Sequence, residues 1–75
     1  TMTKPAMILC TGPEAFIDRI NGDELPEWYV FQADADHEPT GKVYTVRKSY
    51  DQATRLATRM ACDRHLPLEL DACPA

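Results

Sequence analysis

Residues 49–67 read SYDQATRLATRMACDRHLP, and this stretch decides the fold. Ser49 followed by Gln52 forms a capping box, a pattern in which side chains satisfy the unpaired amides of a first helical turn. Pro67 cannot continue a helix, because it lacks an amide donor and clashes with the preceding turn. Between these limits, small and apolar residues recur at helical spacing: Ala53, Leu56, Ala57, Met60 and Ala61. The stretch therefore predicts one amphipathic helix.

A β-hairpin is predicted immediately before this helix. Strand-forming residues concentrate in residues 27–33 and again in residues 42–48. Residues 34–41 between them are polar and contain Pro39 and Gly41, which interrupt regular structure. We therefore expect two strands joined by an eight-residue loop.

The outer parts of the chain predict a further strand on each side and a second helix. Residues 6–10 form a short apolar run typical of a buried strand. Thr11 with Glu14 makes another capping box, and a helix from there would end at Asn21-Gly22. Residues 68–71 alternate in polarity and predict a short last strand.

These elements give the order β-α-β-β-α-β, which is the ferredoxin-like order of a small two-layer α+β sandwich. A simpler alternative is a hairpin or three-stranded antiparallel sheet packed by one long helix. The length of 75 residues allows a single domain, spanning residues 1–75, and we expect residues 1–5 and 72–75 to fray. Such a small core is thin, so a dimer or a partner is a common means of stabilisation.

Charge is unevenly distributed along this acidic chain, whose net charge is −4. Residues 1–41 carry two basic and eight acidic side chains, whereas residues 42–65 carry six basic and two acidic ones. The overall acidity disfavours nonspecific binding to nucleic acids and anionic membranes, because both depend on clustered cations. A local basic surface within residues 42–64 remains compatible with the sequence.

Hydropathy and cysteine content predict a cytoplasmic protein. No apolar run approaches the length needed to span a membrane, and no secretory segment is visible. The three cysteines cannot all pair within one chain, so reduced thiols are expected.

The aromatic hairpin provides the main functional hypothesis. Side chains alternate across a strand, so both faces of residues 28–31 are apolar, and helices in a two-layer fold cover only one face. The uncovered aromatic face would be a partner surface, and acidic loop residues would orient the partner. The aromatic candidates are Trp28, Tyr29, Phe31 and Tyr44, and the acidic rim is Asp34, Asp36 and Glu38.

We therefore expect a non-enzymatic interaction module that binds a protein partner or itself and needs no cofactor. Its small size, acidity and lack of motifs resemble the profile of accessory proteins of mobile elements, including inhibitors of host systems. No catalytic motif is present, since no histidine is placed by spacing as a base for a cysteine nucleophile.

Two alternatives use other side chains. A nucleic-acid-binding module would use Lys42, Arg47 and Lys48 against phosphates. A metal or small-molecule sensor would use Cys62, His65 and Cys73, with Cys10 as a fourth ligand, although zinc sites usually have tighter paired spacing.

The solvent face of the long helix carries charges spaced by four residues. Asp51 with Arg55 and Arg59 with Asp63 predict two ion pairs of opposite sign along one stripe, which is the ordinary pattern of a solvated face. Cys62 lies on the same side.

Overall fold

The computed structural model describes residues 6–17, 20–47 and 49–74, with the backbone alone at residues 15 and 16. Four strands and one helix follow each other in the order β-β-β-α-β. Their bounds are β1 Met7–Ile17, β2 Glu24–Ala33, β3 Pro39–Arg47, α1 Tyr50–Arg64 and β4 Leu68–Ala72.

The strands form one mixed sheet in the order β3-β2-β1-β4. β1, β2 and β3 are consecutive antiparallel neighbours, and β4 lies parallel to β1 at the other edge. The chain therefore leaves the sheet at one edge and returns at the opposite edge through α1, which contacts all four strands. A parallel return needs such a crossover, since a tight turn can join only antiparallel strands.

Helix α1 forms as the sequence predicts. The Ser49 side chain accepts a hydrogen bond from the Gln52 amide, with Ser49 as the N-cap. His65 ends the helix in the left-handed conformation, with φ 53°. Its predicted apolar positions face the sheet, where Ala53 and Ala57 are fully buried.

The main core lies between α1 and one face of the sheet, called here the helix-side face. The alanines of α1 let the helix approach the sheet closely, and Trp28 is the largest side chain that is fully buried beneath it. The other core members from the strands are Ile8, Cys10 and Val30. The predicted helix thus packs against the predicted aromatic hairpin.

The opposite face of the sheet carries a second, smaller apolar cluster. It consists of Leu9, Phe31 and Ala33, with Met7 and Tyr29 packed at its margin. Phe31 is only 7% exposed. The large uncovered aromatic surface that the sequence predicts for this face is therefore much reduced.

The predicted first helix is wrong, because residues 11–17 continue β1 as an extended strand. Glu14 to Ile17 pair with residues 24–27 of β2, which itself begins three residues earlier than predicted. Local capping contributes only about 1 kcal/mol, and a helix of this length has few apolar residues to bury. A strand partner instead satisfies the whole backbone. Residues 18 and 19 of the predicted helix lie outside the described residues.

The ferredoxin-like order is consequently not observed, since the described part of the chain contains one helix. The structure is a small α+β fold, closer to the simpler alternative with an added parallel strand. The short last strand is confirmed at Leu68–Ala72. Residues 1–5 and 75 lie outside the described residues. The Cys73 amide, just after β4, donates a hydrogen bond to the Gly12 carbonyl over 3.2 Å.

The described residues include no helix with the length and apolar character required to cross a membrane.

Candidate functional site

The sheet narrows to two strands at one end, and this end projects as a ribbon. β4 ends at Ala72, opposite Gly12 of β1, and β3 ends at Arg47, opposite Glu27 of β2. Beyond these points only β1 and β2 continue, paired from Glu14 with Glu27 to Ile17 with Glu24. We call residues 14–26 the arm, of which 18 and 19 are not described.

The arm begins just after Gly12, where the backbone of β1 lies close to Glu27 and Trp28 of β2. Gly12 has φ +135°, a conformation that L side chains rarely adopt. A Cβ built there would lie 2.9 Å from both the Glu27 carbonyl oxygen and Trp28 Cδ1. The β1 register shifts between Thr11 and Glu14, so two residues of β1 face one of β2. The bulge lies where the sheet ends, and bulges of this kind generally bend the strand that carries them.

The end of β4 is tied to the same place. Trp28 Nε1 donates to the Cys73 carbonyl over 3.2 Å, while the Cys73 amide donates to Gly12. Both bonds satisfy polar groups around a tryptophan that is 1% exposed. Three segments, from β1, β2 and the end of β4, therefore meet at the base of the arm.

Two exposed isoleucines mark the arm. Ile17 is 64% exposed and Ile20, in the turn, is 93% exposed. Glu24 lies four residues before Trp28 in β2, so its side chain is on the helix-side face. Ile17 pairs with Glu24 and therefore lies on the same face. Helix α1 begins at Tyr50, whose ring lies 5.9 Å from that of Trp28, so it does not extend over Ile17. The apolar side chain is exposed because the helix layer ends before the sheet does.

Exposed acidic residues occur on both faces of the arm. Glu14, Asp23 and Glu24 are exposed on the arm. The opposite face carries further carboxylates, because the register sets Glu69 beside Leu9 and Asp71 beside Thr11. The arm and the adjoining opposite face are therefore mainly anionic.

A buried carboxylate connects the arm to the sheet on the opposite face. Glu27 is 8% exposed and accepts hydrogen bonds from Tyr29 Oη and from Arg47 Nε, the latter over 3.0 Å. These hydrogen bonds hold the pKa of Glu27 below its ordinary value, with Tyr29 as the largest cause and Arg47 next. The bond to Glu27 in turn raises the pKa of Tyr29. The triad is a structural ion-pair network.

The predicted aromatic residues do not share one surface. Trp28 is buried in the main core, and Tyr44 is half-buried against the same core. Tyr29 and Phe31 lie on the opposite face, where Tyr29 is half-buried and Phe31 is buried. Burial removes Trp28 from the set of residues that can contact a partner, since the helix occupies the face to which it points.

The predicted acidic rim lies at the far end of the molecule from the arm. Asp34 Oδ1 accepts hydrogen bonds from the amides of Asp36 and Glu38, at 2.9 and 3.1 Å, so its side chain organises the β2–β3 loop. His37 Nε2, in this loop, lies 3.2 Å from Glu69 Oε2 of β4. Asp36 and Glu38 are exposed.

The three cations of the nucleic-acid hypothesis are not brought together. Lys42 Nζ lies 5.0 Å from the ring centroid of Tyr44, which packs against the helix-side core. Arg47 is on the opposite face, paired with Glu27. Lys48 lies outside the described residues.

Helix α1 presents to solvent a stripe with Arg55 and Arg59 at its centre and Asp51 and Asp63 at its ends, called here the arginine stripe. Arg55, Arg59 and Cys62 are exposed and recur at helical spacing. The predicted pairs with Asp51 and Asp63 are not formed, since neither arginine has a salt bridge within the described residues. Exposed pairs hold their geometry weakly, because side-chain entropy offsets much of their attraction.

The cysteines do not assemble into a site. All three thiols are free, with Cys10 buried and Cys62 and Cys73 exposed. Burial raises the pKa of the Cys10 thiol, which disfavours the reactive thiolate. Across the described ranges, no group of three or more His, Cys, Asp or Glu residues is placed to hold a metal ion.

Comparisons with protein-family models, with curated proteins and with solved structures find no match for this chain.

The arm was missed by sequence reasoning although the chain contains a signal for it. Asn21-Gly22 reads as a helix end, but Asn-Gly between apolar segments is also the strongest short-range hairpin signal. In the structure Gly22 has φ +74° in the turn between β1 and β2. The hairpin interpretation of these two residues would have identified Ile17 and Ile20 as arm residues.

Proposed function

We propose that this protein is a non-enzymatic interaction module that binds a protein partner through its arm. The observation that carries the proposal is the exposure of Ile17 and Ile20, at 64% and 93%, on a ribbon that extends past the helix layer. Large apolar side chains grouped at one exposed place favour contact with another protein. A role as an accessory or inhibitor protein of a mobile element fits this small acidic module.

A need for stabilisation supports the same proposal. An isolated two-stranded ribbon is marginally stable in water, because it has neither a third strand nor a helix to cover its side chains. The arm has no third strand along either edge within the described residues, since β3 and β4 end at its base. A protein seated on the arm would supply the missing contacts.

The charges around the isoleucines define the partner surface. Glu14, Asp23 and Glu24 favour a contact surface with lysine or arginine side chains around an apolar centre. The same charges repel phosphate groups, and Lys42 and Arg47 lie on different faces. We therefore do not propose nucleic acid as the partner.

The experiment compares arm variants with a matched control in protein binding. Ile20→Asp places a charge at the arm tip, and Val43→Asp makes the same change at a 40% exposed residue of β3. Proteins captured from the native host are identified, purified and remeasured against each variant. We expect Ile20→Asp to weaken binding about tenfold or more and Val43→Asp to leave it unchanged.

Equal binding of both variants by every purified partner, together with equal self-association of both variants, would contradict the proposal. Circular dichroism and thermal unfolding confirm that each variant is folded before binding is compared.

A further inference from the structure

We propose that the arm binds a second copy of this chain and that α1 of that copy packs on the helix-side face of the arm. The contact is reciprocal, so each copy covers the arm of the other in a two-fold dimer. This inference rests on the proposed function of the arm and identifies its partner.

The shape of the molecule provides the space for this contact. α1 covers the helix-side face only as far as Trp28, and the face continues without a helix along Glu24 and Ile17. The arm strands pair over four residues each, about 13 Å, and a helix of 15 residues, about 22 Å long, is long enough to span them. A second α1, placed on the arm, would continue the helix layer. The dimer would then have two helices side by side between two sheets.

Charge complementarity selects a second copy as the occupant. The arm presents Glu24 and the neighbouring Asp23, whereas the arginine stripe of α1 presents Arg55 and Arg59 one turn apart at its centre, with aspartates only at its two ends. Both arginines lack a salt bridge within the described residues of their own chain. Their aliphatic stems can cover Ile17 while the guanidinium groups reach the carboxylates. One chain therefore contains both halves of the contact.

The small size of the domain favours the same occupant. A domain of 75 residues buries a limited fraction of its surface, and association is a common means of stabilisation. Each reciprocal contact would be made twice in a two-fold dimer. Two weak patches of this kind can therefore hold one assembly.

Disulfide trapping tests the contact directly, because Cys62 is exposed on the arginine stripe of α1. The test variant is Ile17→Cys with Cys73→Ser, and the control is Val43→Cys with Cys73→Ser. Each is treated with diamide, which takes up the two thiol hydrogens as a disulfide forms. We expect the first variant to yield a covalent dimer through Cys62 and the control to stay largely monomeric. Equal trapping in both variants, or none in either, would overturn the proposal.

A charge exchange provides the second test, measured as the dimer dissociation constant in sedimentation. Glu24→Arg and Arg59→Glu should each weaken the dimer about tenfold, and the two changes together should restore much of the loss. A dimer indifferent to these changes would overturn the proposal.

The outcomes also separate this inference from the proposed function. A chain that stays monomeric but binds another purified protein through Ile20 refutes the second copy and keeps the arm as a binding element. A chain whose arm variants affect neither self-association nor any partner refutes both.

Discussion

Gly12 is the residue on which the arm and the sheet both depend. Its φ of +135° and its 2.9 Å approach to the Glu27 carbonyl and Trp28 leave no room for a side chain. Gly41, in contrast, has nothing within 4 Å of a built Cβ. The two glycines therefore form a matched pair for mutation.

Gly12→Ala is expected to destabilise the protein by about 1–3 kcal/mol, which is the range for a residue forced into a strained backbone conformation. Gly41→Ala should change the free energy of unfolding by less than about 0.5 kcal/mol, as exposed substitutions usually do. Urea unfolding followed by tryptophan fluorescence measures both values. Equal effects at the two glycines would show that Gly12 is not in this tight contact.

Glu27 makes stability depend on pH at the residue scale. Its pKa is lower in the folded protein because Tyr29 and then Arg47 donate hydrogen bonds to the carboxylate. A group with a depressed folded pKa stabilises the fold above its unfolded pKa, about 4.3 for Glu. That stabilisation is lost as pH falls through the folded value.

Thermal unfolding at a series of acidic pH values tests this dependence. We expect the wild-type melting temperature to fall below about pH 4.3 and Glu27→Gln to fall less steeply over the same range. Tyr29→Phe should reduce the slope as well, since it removes the largest cause of the shift. Identical acid slopes in all three proteins would argue against the triad.

At the scale of elements, α1 could be predicted because its information is local. Ser49, the alanine spacing and Pro67 all lie within the helix or beside it, and each acts on neighbouring backbone. The second half of β1 could not be predicted in the same way. Its strand state depends on pairing with residues 24–27, which lie in the next strand, and this pairing outweighs a local capping box.

The alanine face of α1 sets the distance between helix and sheet. Ala57 is fully buried between them, whereas Thr58 is exposed one residue later. Ala57→Leu should cost about 1–3 kcal/mol through overpacking, and Thr58→Leu should cost less than about 0.5 kcal/mol. Chemical denaturation of both variants measures the difference. A tolerated leucine at residue 57 would mean that the helix packs more loosely than described.

At the scale of the whole molecule, the sequence indicated the class of fold but not its connectivity. The α+β composition, the hairpin and the last strand follow from local patterns. Strand order depends on which edge of the three-stranded sheet pairs with β4, and the spacing of residues along the chain does not predict that edge. The candidate surface differs from the predicted one for the same reason. Helix α1 covers one face of the sheet and buries Trp28, whereas Ile17 lies beyond the end of the helix and is exposed.

Light scattering of the wild-type chain and Ile17→Asp over a concentration series is the measurement we would make first. The wild-type mass should rise from that of the 8.5 kDa chain toward twice that value, while Ile17→Asp stays at the mass of one chain. A wild-type protein that remains a monomer at the highest concentration, or an Ile17→Asp variant that dimerises equally well, would contradict binding of a second copy through the arm.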